Sequence, residues 1–334
     1  MNFLTMDFGG TLAKYSVMDE GLNVILRDEA PAPTTKPADY YDFVAEIFKK
    51  AQNSGRVEGI ALSMPGVIDD QAGILRGSGA YRMLADQCVT EEIAKRTGVP
   101  VTMENDGKCG VLAEVWKGNL ADVDDGVVII LGTGIAGGIV QNRKILKGKD
   151  LSAGEFSYSI VGEEEGFECT AFFHCGVSTL LHKTCLAKGI DVRKMPTYPL
   201  VSMFKVFTEQ TEFSELNDDP AYAEGMNGYQ FFEFLNAGDP AVEKIYRKYV
   251  FDVARLAMNQ TISFDPERVL IGGGISRQDR LINDIKAEYD RMKAVFGVQM
   301  FRTEIRRCYF MNEANQYGAL YHHLTMRGYY DTGC

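Results

Sequence analysis

Twice in this chain a short apolar strand runs into a turn of glycines and a threonine and comes straight out as a second strand. Residues 2–8 end in Asp7-Phe8-Gly9-Gly10-Thr11, and residues 12–17 continue as Leu-Ala-Lys-Tyr-Ser-Val. Residues 127–131 (Val-Val-Ile-Ile-Leu) enter Gly132-Thr133-Gly134, and residues 136–140 lead into the next strand. Paired glycines with a hydroxyl residue suit a tight hairpin. They also let backbone amides converge on an anion where a Cβ would obstruct it. A motif repeated about a domain apart predicts two related halves facing each other across a cleft.

The chain has room for that plan. Its 334 residues are enough for two domains, and 46% hydrophobic with 24% charged residues is ordinary for a soluble globular protein. No apolar run reaches bilayer length, and the start lacks a basic region followed by a long apolar core, so a cytoplasmic protein without membrane contact is expected. Seven cysteines at irregular spacing fit reduced thiols better than a disulfide framework. A net charge of -11 argues against binding nucleic acid but not against a nucleotide held by amides and a magnesium ion.

In chain order, residues 22–26 read as a third strand and residues 31–37 as a Pro-rich connector. Residues 38–52 place Tyr41, Val44, Ile47, Phe48 and Ala51 on one helical face. Residues 57–64 form a buried strand running into Pro65-Gly66-Val67, residues 77–81 a loop, and residues 86–97 a second helix. The run Gly132-Thr-Gly-Ile-Ala-Gly137 spells a dinucleotide fingerprint, but that fingerprint needs a helix after it. Gly138-Ile139-Val140-Gln141 reads as a strand, so the dinucleotide reading is rejected. Cys169, His174, Cys175, His182 and Cys185 lie close together without the paired spacing of zinc ligands, and residues 172–187 fit a helix, so no zinc is expected. Residues 190–235 carry little pattern; Gly238-Asp239-Pro240 starts a long helix, and a strand at 268–271 enters Gly272-Gly273-Gly274, where bare backbone suits a flat ligand. Residues 279–296 form another helix, and Asn315 opens a last one.

Between the two halves lies Val101-Thr102-Met103-Glu104-Asn105-Asp106-Gly107, a strand switching to an amphipathic helix. A carboxylate at such a switch can cap the helix, or it can serve as general base at the bottom of a cleft, with Asn105 orienting a substrate hydroxyl. Local pattern favours the cap.

The ordered set resembles the ROK family (repressors, open reading frames and sugar kinases) of the actin-like ATPase superfamily. The matches are Asp7-x-Gly9-Gly10-Thr11, Pro65-Gly66-Val67, Glu104-Asn105-Asp106, residues 131–138, Gly154-Glu155, Gly238-Asp239-Pro240, residues 272–276 and Gly318-Ala319. The resemblance implies an α/β protein of two actin-like ATPase (ribonuclease H-like) domains with a nucleotide cleft between them. The smaller domain would be 1–120, with the helix at 313–330 packed back on it, and the larger would be 121–312. It further implies that Gly9, Gly10, Thr11, Gly132, Thr133 and Gly134 line the phosphates of ATP, with Mg2+ near Asp7 and the adenosine near Gly273 and Gly274. Asp106 takes the place of the base that deprotonates the sugar hydroxyl; Asn105, Glu155, Gly66 and Tyr158 fall on the sugar side.

Two departures stand out. The family's zinc-bound His is Tyr158 here, and its Cys-x-Cys-Gly-x-x-Gly-Cys motif is absent, so the chain resembles a zinc-less branch; Tyr158 would contact sugar or pack in place of that His. Lys108 replaces an Asn and is given no role. The implied activity is ATP-dependent phosphorylation of a hexose or derivative (glucose, a β-glucoside or an N-acetylhexosamine) at the 6-hydroxyl, and a homodimer is common in the family. The competing functions are a repressor, for which residues before Asp7 leave no room for a DNA-binding domain, and a catalytically silent sugar-binding or regulatory protein.

Overall fold

A computed structural model describes residues 1–190, 226–311 and 313–330; most of the weakly patterned stretch 190–235 lies outside the described residues. Contacts divide the chain into two units, Met1–Asp124 with Gly138–Ala153 and Cys308–Cys334, and Asp125–Gly137 with Gly154–Arg307.

In the first unit, β1 (Asn2–Phe8), β2 (Leu12–Asp19) and β3 (Val24–Pro31) form an antiparallel meander. Helix α1 (Pro37–Ala51) then carries the chain to β4 (Val57–Met64), which lies parallel to β1. Helix α2 (Val89–Thr97) leads to β8 (Val101–Asn105), parallel to β4, so the sheet reads β3-β2-β1-β4-β8. A central strand covered on both faces should be apolar almost without interruption, and Val57, Ile60, Leu62 and Met64 are buried accordingly. The α1 stripe of Tyr41, Val44, Ile47, Phe48 and Ala51 joins Leu4, Met6, Phe8, Ile60 and Leu62 in one core cluster.

The segment after β4 departs from the sequence reading. Around the loop read at 77–81, which stands at 78–81, β5 (Val67–Asp69), β6 (Ile74–Gly77) and β7 (Gln87–Cys88) make a small antiparallel sheet that the sequence did not show, and α2 starts only at Val89. Strands this short, with glycines at 66, 73 and 77, leave too little alternation to be seen in a window of residues.

The C-terminal helix (Ala314–Met326) returns to this unit and packs on α3 (Asp106–Lys117) and on the sheet. Gly318 sets the spacing, because a Cβ there would overlap the carbonyl of Cys109. Farther along, Trp116 stacks on Tyr321 with centroids 5.4 Å apart. Glu114, buried in α3, accepts backbone N–H bonds from Tyr309 at 3.1 Å and Phe310 at 2.8 Å, which fastens the returning chain.

The second unit repeats the strand order. With β9 (Gly126–Leu131), β10 (Ile135–Gln141), β11 (Lys144–Leu146), β12 (Arg268–Gly272) and β13 (Glu304–Arg307), the sheet reads β11-β10-β9-β12-β13, and β12 lies parallel to β9 and β13. The boundary between units falls inside β10, so β11 clusters with the first unit. Among the described residues its α-helices are α4 (Ala171–Cys175), α5 (Val177–Lys188), α6 (Gly228–Asn236), α7 (Pro240–Phe264) and α8 (Asp279–Phe296). Asp239 caps α7, its Oδ1 accepting from Ala241 N–H at 3.0 Å and Val242 N–H at 3.1 Å, with Pro240 at the first helical position.

The single helix expected over 172–187 is broken at Gly176. Its extended backbone turns Val177 N–H onto the Gly132 carbonyl at 2.8 Å, and a Cβ at 176 would press on the carbonyls of Phe172 and Thr133. Docking onto the second glycine turn outweighs helix continuity. Among the described residues no helix is long and apolar enough to cross a membrane.

Candidate active site

Within the first unit, the Asp7 carboxylate stands at the end of β1. Its Oδ1 accepts from Ser63 Oγ at 2.7 Å and Asn315 Nδ2 at 3.1 Å, partners from β4 and the C-terminal helix. Burial pushes Asp7 above the usual carboxylate range, and those hydrogen bonds, with Lys14, only partly oppose it. Gly9, Gly10 and Thr11 are exposed, Gly9 N–H closes the turn onto the Leu12 carbonyl at 2.9 Å, and no atom lies within 4 Å of where a Gly10 Cβ would stand. Tyr81, fully buried, donates its hydroxyl to the Gly9 carbonyl at 2.6 Å. Burial first, and the charge of Asp7 second, hold that hydroxyl protonated. Ser63 and Asn315 carried no site signal in the sequence; Tyr81 closes the glycine loop read at 77–81.

The β8–α3 junction corrects one reading. The cap is Asn105, whose Oδ1 accepts from Lys108 N–H at 3.0 Å, and Asp106 is the first helical residue. Asp106 Oδ1 accepts from Gly107 N–H at 2.8 Å and Asn105 Nδ2 at 3.1 Å, and the same Nδ2 donates to the Gly66 carbonyl at 3.0 Å. The structure thus brings Gly66, Asn105 and Asp106 together, with Gly66 at φ 121°, a backbone setting that favours glycine. Lys108, given no role, has its backbone N–H in the cap and its Nζ 3.4 Å from the Leu151 carbonyl.

The second unit holds the other expected residues. Gly132 N–H donates to Gly134 O at 3.0 Å, and Ser178 Oγ donates to the Thr133 carbonyl at 2.5 Å, so the start of α5 rests on this turn. As expected, Gly137 and Gly138 continue into a strand, β10. Gly273 has φ 90° and a Cβ there would strike Leu131; its carbonyl accepts from Ser276 Oγ at 2.7 Å, while Gly274 is exposed. Glu155 begins a short helical turn over Phe156–Tyr158, stapled to β10 by Ser157 Oγ, which accepts from Ile135 N–H at 2.9 Å and donates to Ile135 O at 2.8 Å. Tyr158 is 64% exposed and stands edge-on to Phe167, 5.8 Å between centroids.

His174 in α4 lies between Glu164 (Nε2 to Oε2, 3.1 Å) and Asp252 (Nδ1 to Oδ2, 3.3 Å). Burial alone would raise Asp252, but hydrogen bonds from His174 and Lys248 outweigh it and hold the carboxyl below its usual range. Cys169 Sγ donates to the Gly166 carbonyl. Among the described residues one group has metal-ligand geometry, Asp70, Glu104 and His322, and it lies in the first unit.

Two sheets of the same strand order, each with a glycine turn between its first two strands, define the α/β class of the actin-like ATPases. Within it the chain belongs to the ROK family, whose model matches residues 3–323. It is 29% identical to a beta-glucoside kinase of Listeria innocua over 97% of this chain and 98% of that one, and 28% identical to a glucokinase of Thermotoga maritima over 84% of each. A ROK hexokinase from Thermus thermophilus shares the fold with a TM-score of 0.75, at 22% identity, covering 98% of this chain and all of the other.

Proposed function

We propose that the protein is a sugar kinase that transfers the γ-phosphoryl group of ATP to the 6-hydroxyl of a hexose or hexose derivative, a β-glucoside first among them. The observation that carries the reading is Asp106 at the first turn of α3, its Oδ1 held by Gly107 N–H and Asn105 Nδ2. Phosphoryl transfer needs mainly positioning and charge neutralisation, completed by one carboxylate at the acceptor oxygen.

The residues present suit Mg·ATP. Gly9, Gly10 and Thr11 are exposed, with open space over Gly10; the Gly9 N–H closes the turn, so the amides of Gly10 and Thr11 are the ones to approach a phosphate, and the held carboxylate of Asp7 can take a hydrated magnesium ion. Magnesium bound with ATP supplies charge neutralisation on the phosphates. Gly132, Thr133 and Gly134 are assigned to the phosphates as well, and Gly273 and Gly274 to the adenosine. Asp106 accepts the proton of the attacking hydroxyl, a step worth about 10²–10⁴-fold. Asn105, tied to the Gly66 carbonyl, orients that carboxylate and meets a neighbouring hydroxyl, and Glu155 binds another. Tyr158, with its exposed ring, is assigned to the sugar or its aglycone.

The test is ADP release with Mg·ATP against a panel of β-glucosides, glucose, N-acetylglucosamine and N-acetylmannosamine. Sugar-dependent ADP is expected; silence across the panel would leave a sugar-binding protein without catalysis. Asp106→Asn should lower kcat at least about a hundredfold with an unchanged melting temperature.

A further inference from the structure

The first unit carries a buried charge cluster that the phosphotransfer reading does not use. Glu104, the residue before Asn105 and only 1% exposed, accepts the Asn105 N–H through Oε1 at 2.8 Å. Its other oxygen, Oε2, lies 2.5 Å from Lys147 Nζ, and the same ammonium pairs with Asp70 Oδ1. His322 of the C-terminal helix completes the group, Nε2 3.7 Å from Asp70 Oδ2 and Nδ1 3.9 Å from Glu104 Oε2. Burial holds this imidazole toward its neutral form, against the pull of both carboxylates.

The donor set of Asp70, Glu104 and His322 is compact enough for a metal ion. Lys147 decides otherwise, because its ammonium already reaches both carboxylates and supplies the cation there. Two carboxylates against one ammonium leave one negative charge in excess, so this is not a cluster that burial makes stable by itself; a buried ion pair is weak evidence for stability. Its value lies in where its two arms end. Through Glu104 the ammonium reaches the backbone of Asn105, whose Nδ2 donates to Asp106 Oδ1 at 3.1 Å. Through Asp70 it reaches the β5–β6 hairpin, and the residue that precedes this hairpin, Gly66, offers the carbonyl to which the same Nδ2 donates at 3.0 Å.

The geometry points to Lys147 as a positioning residue for phosphoryl transfer, one ammonium gripping Glu104 and Asp70 so that the Asn105–Asp106 step and the Gly66 carbonyl keep a common register. The inference rests on the reading of Asp106 as the base. Displacement of a reacting group by about an ångström costs about a hundredfold in rate, and that sets the expected size.

The experiment compares wild type with Lys147→Met, Asp70→Asn and the double variant, measuring kcat, KM for ATP and the pH profile of kcat from pH 6 to 9. Lys147→Met should lose about a hundredfold in kcat with KM for ATP within about twofold. Without the ammonium, the pull of Glu104 and Asp70 on His322 loses an opposing charge, and the imidazole can take up a proton at low pH that partly replaces the missing cation, so the loss should be smaller at pH 6 than at pH 8. The double variant restores the net charge of the cluster and lets an amide donate to Glu104; it should recover to within about tenfold of wild type with the added pH dependence gone. Where Lys147→Met fails to fold, Asp70→Asn carries the test, since it leaves a neutral Lys147–Glu104 pair and releases the hairpin arm alone; about a tenfold loss in kcat is expected. Wild-type kcat and pH profile in Lys147→Met or, where that variant does not fold, in Asp70→Asn overturn the inference, as does a loss in Lys147→Met equal at both pH values and unrecovered in the double variant. A wild type that forms no sugar-dependent ADP overturns the phosphotransfer reading and this inference with it; an active wild type beside an unaltered Lys147→Met overturns this inference alone.

Discussion

The two glycine turns look alike in sequence and are packed differently. At the first, Gly9, Gly10 and Thr11 face solvent, and nothing stands within 4 Å of where a Gly10 side chain would begin. At the second, a Cβ on Gly134 would meet the Phe172 ring at 2.5 Å and Ser157 Oγ at 3.0 Å, and α5 rests on the turn through Ser178 and Val177. The first turn is open over Gly10; at the second, Gly134 is packed against the protein's own side chains while Gly132 is not. A glycine motif alone does not distinguish the two.

That contrast can be broken by mutation. The largest effect on stability is expected at the packed turn, where Gly134→Ala must displace Phe172 and should cost about 1–3 kcal/mol, read as a lower denaturant midpoint with an unchanged slope. A neutral result there would mean that both turns are open. A smaller effect, of opposite sign, is expected at the open one. Asp7 has its carboxyl raised by burial, so the folded protein binds that proton more tightly than the unfolded chain does. Stability is therefore withheld at neutral pH, and the deficit disappears below about pH 4, where the carboxyl is protonated in both states. Asp7→Asn should melt higher than wild type at pH 7, lose this advantage as the pH falls through the raised folded pKa toward 4, and abolish ADP formation. A lower melting point at pH 7 would make Asp7 a structural residue. The smallest stability change belongs to Gly10→Ala, within about 0.5 kcal/mol of wild type, with a raised KM for ATP as its signature. An unchanged KM would remove this turn from the phosphate site.

What could be read in the sequence was local. The hairpins around both turns, the strand-to-helix switch at residues 101–116 and the Asp239-Pro240 helix start each depend on neighbours within a few positions, and each stands where it was read. The cap was misplaced by one residue because Asn and Asp both favour that position; pairing of Asn105 with Met64 in the parallel sheet fixes where β8 stops, and Asn105 becomes the cap. The partners of Asp7 were invisible for another reason: Ser63 and Asn315 lie 56 and 308 positions away. The same holds for the four segments that bring Asp70, Glu104, Lys147 and His322 together. Gly176 shows tertiary docking together with a poor helix residue overriding a helical pattern, since the break turns Val177 N–H onto the second turn.

The seating of Gly318 against the Cys109 carbonyl has a consequence for how the protein is made. The helix that begins with Asp106 is covered by one translated about two hundred residues later. At roughly 5–20 residues per second on the ribosome, the nascent first unit waits about 10–40 s with the Trp116 face of α3 lacking its stacking partner Tyr321. The β8–α3 junction is therefore synthesised well before the helix that covers it, and a chain halted before residue 314 would leave the ribosome with Asp106 in place and no helix behind it.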